Sequence, residues 1–126
     1  EISNYTDTDI SNALPLIINQ PKPTTVIYPS GKNTASNIIA ADGSIGIRVV
    51  QDSFCKSLIK KFGSAIVSTS ANISGKDSPN CFNEVVEKIK SGVDYVVQYK
   101  QHELIKSKAS QIIRFDKNGT ISVIRP

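Results

Sequence analysis

The stretch Ile66 to Gly75 reads IVSTSANISG, a β-branched apolar start followed by hydroxyls and amides and closed by a glycine. It predicts a buried strand over AIVST, residues 65–69, that runs straight into a polar loop. Just upstream, SFCKSLIKKFG spaces Phe54, Leu58, Ile59 and Phe62 as one helical stripe, with Asp52 or Ser53 as cap and Gly63 as stop. Downstream, CFNEVVEKIKSG reads as a second amphipathic helix with Phe82, Val85, Val86 and Ile89 inward and Gly92 at its end. Helix, strand, loop and helix in that order are the repeating part of an α/β layer fold.

Working outward, Thr8 or Asp9 can cap a short helix through Ile10 and Leu14 that Pro15 ends or kinks. TTVIYP, from Thr24 to Pro29, is a β-branched and aromatic run and predicts a strand. SIGIRVV, entered through the Asp42-Gly43 turn, sets Ile45, Ile47 and Val49 against Arg48, so one face enters the core while Arg48 points the other way. VDYVVQY is expected as a strand, and SQIIRF with TISVIRP as a hairpin around DKNG. The expected class is α/β, a twisted open mixed sheet with flanking helices. Strand–helix alternation implies parallel crossovers, while the hairpin adds an antiparallel pair. A chain of 126 residues fits one domain, residues 1–126.

Composition narrows the chemistry. The two cysteines, Cys55 and Cys81, lack CxxC spacing, and His102 is the single histidine, which argues against a zinc or iron site and against a serine–histidine triad. Asp52, Asp77, Glu84 and Glu87 read as caps and helix-surface residues. No apolar run approaches the roughly 18–20 residues of a membrane helix, so no membrane partner is expected. The net charge of +4 suits an anionic ligand.

Ser68, Thr69, Ser70, Asn72 and Ser74 offer neutral donors at the end of an expected strand, where α/β sheets hold ligands and where successive amides can form an anion nest. The loop is neither GxxxxGK[ST] nor GxGxxG. The same residues would also serve as a plain turn, with Asn72 left-handed and Ser78 capping the next helix ahead of Pro79. On residue chemistry alone both readings stand. Cations and hydroxyls without a base suit a reaction driven by positioning and charge stabilisation.

The ordered set PKPTTVIYP, SIGIRVVQDSF, IVSTSANISGKDSP, SQIIRF and SVIRP resembles the C-terminal portion of the YrdC/YciO-like family of threonylcarbamoyl-AMP synthases. The resemblance implies a YrdC-like fold, incomplete at its N-terminus. It also implies an enzyme that joins L-threonine, bicarbonate and ATP, with Mg²⁺ on the nucleotide, into threonylcarbamoyl-AMP and pyrophosphate for tRNA modification. Carried over by motif, Ser44, Ser70, Ser78 and Arg125 face ATP, and Arg48, Ser68 and Ser110 face threonine. Pro23, Thr25, Asn72 and Gly75 shape the loops, and no residue acts as a catalytic acid, base or nucleophile. The implied partners are the tRNA threonylcarbamoyl-transfer machinery and tRNA or double-stranded RNA, in the cytoplasm. The family's N-terminal Lys-x-Arg motif has no counterpart in these residues, so synthase activity is expected of the intact gene product rather than of the 126 residues alone. Two alternatives remain: a non-catalytic RNA-binding module and a YciO-type nucleotide-binding paralogue.

Overall fold

A computed structural model describes residues 1–11, 14–105 and 108–126. The chain divides into two compact units, one formed by Glu1–Lys61 with Ala109–Pro126 and the other by Phe62–Lys108.

The first unit is built on a four-stranded mixed sheet. Strand β1 is Thr24–Tyr28, a β-branched and aromatic run whose alternate residues Thr24, Val26 and Tyr28 are buried. Strand β2, Ile45–Arg48, pairs antiparallel with β1, placing Ile47 opposite Val26 and Arg48 opposite Thr25. Strand β3, Gln111–Phe115, runs parallel to β1, with Ile112 opposite Thr25 and Ile113 opposite Val26. The pairing begins where the Gln111 N–H donates to the Pro23 carbonyl at 2.8 Å. Strand β4, Ile121–Arg125, closes the order β2-β1-β3-β4 by pairing antiparallel with β3. Its turn is made by Asp116 to Thr120, with Gly119 at φ +80, in the left-handed region that glycine enters without strain. The α/β class and the mixed open sheet are as expected.

One face of this sheet carries the core. Val26, Tyr28, Ile45, Ile113 and Phe115 are buried on it, with Ile17 against them and Ile2, Ile10, Ile38, Ile47 and Val49 packed around. Each fully buried side chain of this size contributes about 1.5–3 kcal/mol. Tyr28 and Phe115 stack with ring centroids 5.9 Å apart. The Tyr28 hydroxyl is buried with no hydrogen-bond partner among the described residues, and burial pushes its pKa up to about 12.

Helix α1 is Leu14–Ile18, and the Leu14 N–H donates to Ile10 O at 2.9 Å. The helix passes through Pro15 instead of ending there, because a proline in the first turn lacks only an N–H that would have no intrahelical partner. Part of the predicted helix, residues 12–13, lies outside the described residues. Helix α2, Ser53–Phe62, starts as predicted, with the Asp52 carboxylate accepting the Cys55 N–H at 3.0 Å, and ends before Gly63 at φ +83. Along its apolar stripe Phe54 and Ile59 are half-buried, while Leu58 and Phe62 are 46% and 65% exposed.

The second unit departs most from expectation. Among its described residues there is no strand, so the strands predicted over 65–69 and 93–99 do not form. Val67 and Tyr95 are 71% and 74% exposed. β-branched residues favour extended backbone, but a strand also requires a partner to take its N–H and C=O groups, and no described segment pairs with these runs. The helix predicted over 81–92 is broken into a 3-10 turn, Phe82–Glu84, and helix α3, Glu87–Ser91. Val85 and Val86 between them are extended, with ψ 117 and 147. Two adjacent β-branched residues resist a helical χ1, while the Glu84 carboxylate turns back to accept the Asn80 N–H at 2.8 Å and closes the first piece. Gly92 ends α3, as predicted. Cys55 and Cys81 are not joined in a disulfide, and both are half-buried. No helix among the described residues is long and apolar enough to cross a membrane.

Candidate functional site

Burying one face of the first unit's sheet leaves the other to carry chemistry. Cross-strand partners point their side chains to the same side, so Arg48, Thr25 and Ile112 form one row, and Arg125 pairs with Ile112 at its end, beyond a register shift between Ile112 and Ile113. Ser110, two residues before Ile112, belongs to the same side. Its hydroxyl lies 3.1 Å from Thr25 Oγ1, a contact between residues 85 apart in the chain. Arg125 donates from Nε at 3.0 Å and Nη2 at 2.7 Å to the Ser110 carbonyl, and Nη2 also reaches Ser110 Oγ at 3.4 Å. The structure therefore joins Thr25 and Arg125 through Ser110, which touches both, and the register adds Arg48.

Arg48 is exposed and makes no ion pair among the described residues. Three inter-strand steps of ~4.8 Å separate β2 from β4, so the two arginines start about 14 Å apart. No carboxylate stands in the row between them. Two guanidinium groups at that spacing suit a ligand with two anionic ends, each able to receive a forked pair of N–H bonds. The Arg125 fork already grips Ser110, which leaves Nη1 as its outward end.

Ser44 lies at the opposite end of β2. It is buried, and its N–H and hydroxyl donate to Asp42 Oδ1 at 3.0 and 2.6 Å. These hydrogen bonds, the hydroxyl's first, hold the Asp42 carboxyl below the usual carboxylate range, and Arg114, 3.4 Å away, adds a smaller attraction. A hollow of about 250 Å³ sits there, lined by Asp42, Ser44, Arg114 and Lys117 among others. The Ser44 proton is thus committed to Asp42, a hold that reading Asp42-Gly43 only as a turn misses. The available signal was the Asp-x-Ser spacing, which favours a side-chain-to-backbone turn.

Ser68, Ser70, Asn72, Gly75 and Ser78 belong to the second unit. There Asn72 organises the loop: its Nδ2 donates to Ile73 O at 3.1 Å and Lys76 O at 3.0 Å, and its Oδ1 accepts the Ser78 hydroxyl at 3.3 Å. Gly75, at φ +80, completes the reversal. Ser68 and Ser70 are exposed, and their side chains make no hydrogen bond among the described residues. The adjoining hollow, lined by Asn72, Lys76 and Glu84 among others, holds about 50 Å³, far below the roughly 300 Å³ of a small-molecule pocket.

Comparison with known proteins gives a consistent result. The family model Sua5_yciO_yrdC, described as "Telomere recombination", matches residues 1–126. A protein of Methanocaldococcus jannaschii is 34% identical over 103 residues, covering 82% of this chain and 46% of the relative. A protein of Hahella chejuensis named threonylcarbamoyl-AMP synthase is 36% identical over 92 residues, covering 73% of this chain and 49% of the relative. One of the same name from Idiomarina loihiensis is 30% identical over 77 residues, covering 61% and 41%. The chain thus spans less than half the length of these curated relatives. No solved structure matches it. With its whole length matched, the chain belongs to the Sua5/YciO/YrdC family.

Proposed function

We propose that the intact protein is an L-threonylcarbamoyladenylate synthase, making threonylcarbamoyl-AMP and pyrophosphate from L-threonine, bicarbonate and ATP for tRNA modification in the cytoplasm. Residues 1–126 are then the C-terminal part of one YrdC-like domain. The observation that carries this reading is the row of Arg48, Thr25, Ser110 and Arg125 on the free face of the sheet. It is supported by the names of the bacterial relatives.

In this reading Arg48 holds the threonine carboxylate by a two-pronged bond, and Arg125 balances phosphate charge from the far side of the sheet. Threonine's amine and bicarbonate combine to a carbamate with loss of water. A carbamate oxygen then forms a bond to the α-phosphorus of ATP as the bond to the β-phosphate oxygen breaks and pyrophosphate leaves. The residues of the row orient and neutralise, and none is asked to move a proton. By motif, Ser70 and Ser78 are read as contacts to ATP and Ser68 as a contact to threonine, and Ser44 as a contact to ATP through its acceptor lone pairs. Mg²⁺ enters on the triphosphate as part of the substrate, where it neutralises phosphate charge.

The test is pyrophosphate release from ATP by the intact gene product, with threonine and bicarbonate each present or omitted. Release that requires both supports the synthase. Release indifferent to threonine overturns it in favour of a nucleotide-binding paralogue. No release, with tight and salt-sensitive tRNA binding, overturns it in favour of an RNA-binding module.

A further inference from the structure

Gly46 occupies the interior of β2, where neither the backbone nor the packing asks for a glycine. Its φ lies outside the left-handed region. A Cβ built on it would meet nothing nearer than the Thr25 methyl at 3.6 Å, an ordinary contact. Gly31 behaves differently, because a Cβ there would sit 3.0 Å from the Ile45 Cβ, so its bareness is required by the fold. A glycine inside a strand destabilises it relative to alanine, and where folding gives no reason for one, a close-approaching ligand or backbone is the physical alternative.

The register decides which surface Gly46 leaves bare. It pairs with Ile27 and stands two residues before Arg48, so it lies on the face that carries Arg48, Thr25 and Arg125 and is exposed there. A second copy pairing with the outer edge of β2 would use in-plane N–H and C=O groups and would not need a bare face. A ligand anchored by the Arg48 guanidinium and lying back along β2 would.

We propose that Gly46 is the floor of the site beside Arg48, bare so that the amino-acid end of the substrate can rest on the β2 backbone. This deepens the function proposed above and rests on it. Arg125 stands across the sheet on β4. A methyl at position 46 therefore crowds the amino-acid end of the substrate and leaves the phosphate end alone.

The test uses the intact gene product with Gly46→Ala and Gly46→Val. Pyrophosphate release is titrated separately in threonine and ATP, direct binding of each is measured by calorimetry, and a thermal melt is recorded for every variant. The expected result is an unchanged or raised melting temperature for Gly46→Ala. Its threonine KM and Kd should rise about tenfold, as one methylene can impose, and further for Gly46→Val, while ATP values stay within about twofold. Unchanged threonine values in Gly46→Ala, an equal rise for both ligands, or a melting temperature several degrees lower would each overturn the inference. A wild type without turnover that still binds threonine, with binding weakened by Gly46→Ala, would sink the synthase reading and leave the role of Gly46 standing. A wild type that binds neither ligand overturns both.

Discussion

Val26 and Val67 sit in runs of nearly the same composition, TTVIY and AIVST, yet Val26 is fully buried and Val67 is 71% exposed. The difference lies in what surrounds each run. TTVIY in the first unit has β2 on one side and β3 on the other, so every second residue faces a core that Ile17, Ile45 and Ile113 complete. AIVST belongs to the second unit, where no described residue is buried and no strand forms. Intrinsic β-preference spans only about 1 kcal/mol and cannot hold a strand unaided, since cross-strand hydrogen bonds and side-chain pairs supply the rest.

The comparison predicts unequal sensitivity to truncation. Phe115→Ala removes a buried ring stacked on Tyr28 and should cost about 3–5 kcal/mol, whereas Tyr95→Ala should change stability by no more than about 0.5 kcal/mol. Urea unfolding of both variants checks this. A large loss from Tyr95→Ala would show that the second unit carries a core of its own. Amide exchange sharpens the point: protection should concentrate in β1 and β3 and be weak over residues 65–70 and 93–99.

Within the first unit, the two faces of the sheet should respond in different currencies. Arg48 is exposed, so on the function proposed above Arg48→Ala in the intact gene product should leave the melting temperature nearly unchanged while lowering kcat/KM for threonine about a hundredfold, as loss of a charge-assisted forked pair implies. Steady-state kinetics beside a melt separates the two readouts. A stability loss without a kinetic one would return Arg48 to a purely structural role.

The core face makes a prediction on the alkaline side. The folded pKa of Tyr28 is raised by burial from 10.0 to about 12, so the unfolded chain loses that proton first. Its contribution is fully present below pH 10 and is lost as pH rises through about 12. Tyr28→Phe removes both this titration and an unpartnered hydroxyl, and should stabilise the fold by about 1 kcal/mol at neutral pH. Denaturation at pH 7 and pH 11 tests it, with a larger gain expected at the higher pH.

The smallest effect belongs to the loop. Asn72→Ala removes three hydrogen bonds that are all exposed, so global stability should fall by less than about 1 kcal/mol while proteolysis within residues 70–80 speeds up. An unchanged cleavage rate would mean that Gly75 and the Lys76-to-Ile73 backbone bond hold the turn by themselves.

Much of the first unit could be read from its residues because the relevant signals are local. The alternation of Ile45 and Ile47 against Arg48, the Asp52 cap and Gly119 in the hairpin turn act over a few positions, and short-range sterics and hydrogen bonding decide them. Motif resemblance named Arg48, Thr25, Ser110 and Arg125 separately, but only the tertiary structure aligned them. Thr25 and Ser110 meet across 85 positions because β1 and β3 pair in one particular parallel register, and a slip of one residue would turn the row into the core. Ser44 turns toward Asp42 by a local contact two residues away, whereas the apolar runs over 65–69 and 93–99 stay unpaired because no described segment lies alongside them. A strand's periodicity is written in the sequence, whereas its neighbours, and therefore its burial, are settled by contacts between distant segments.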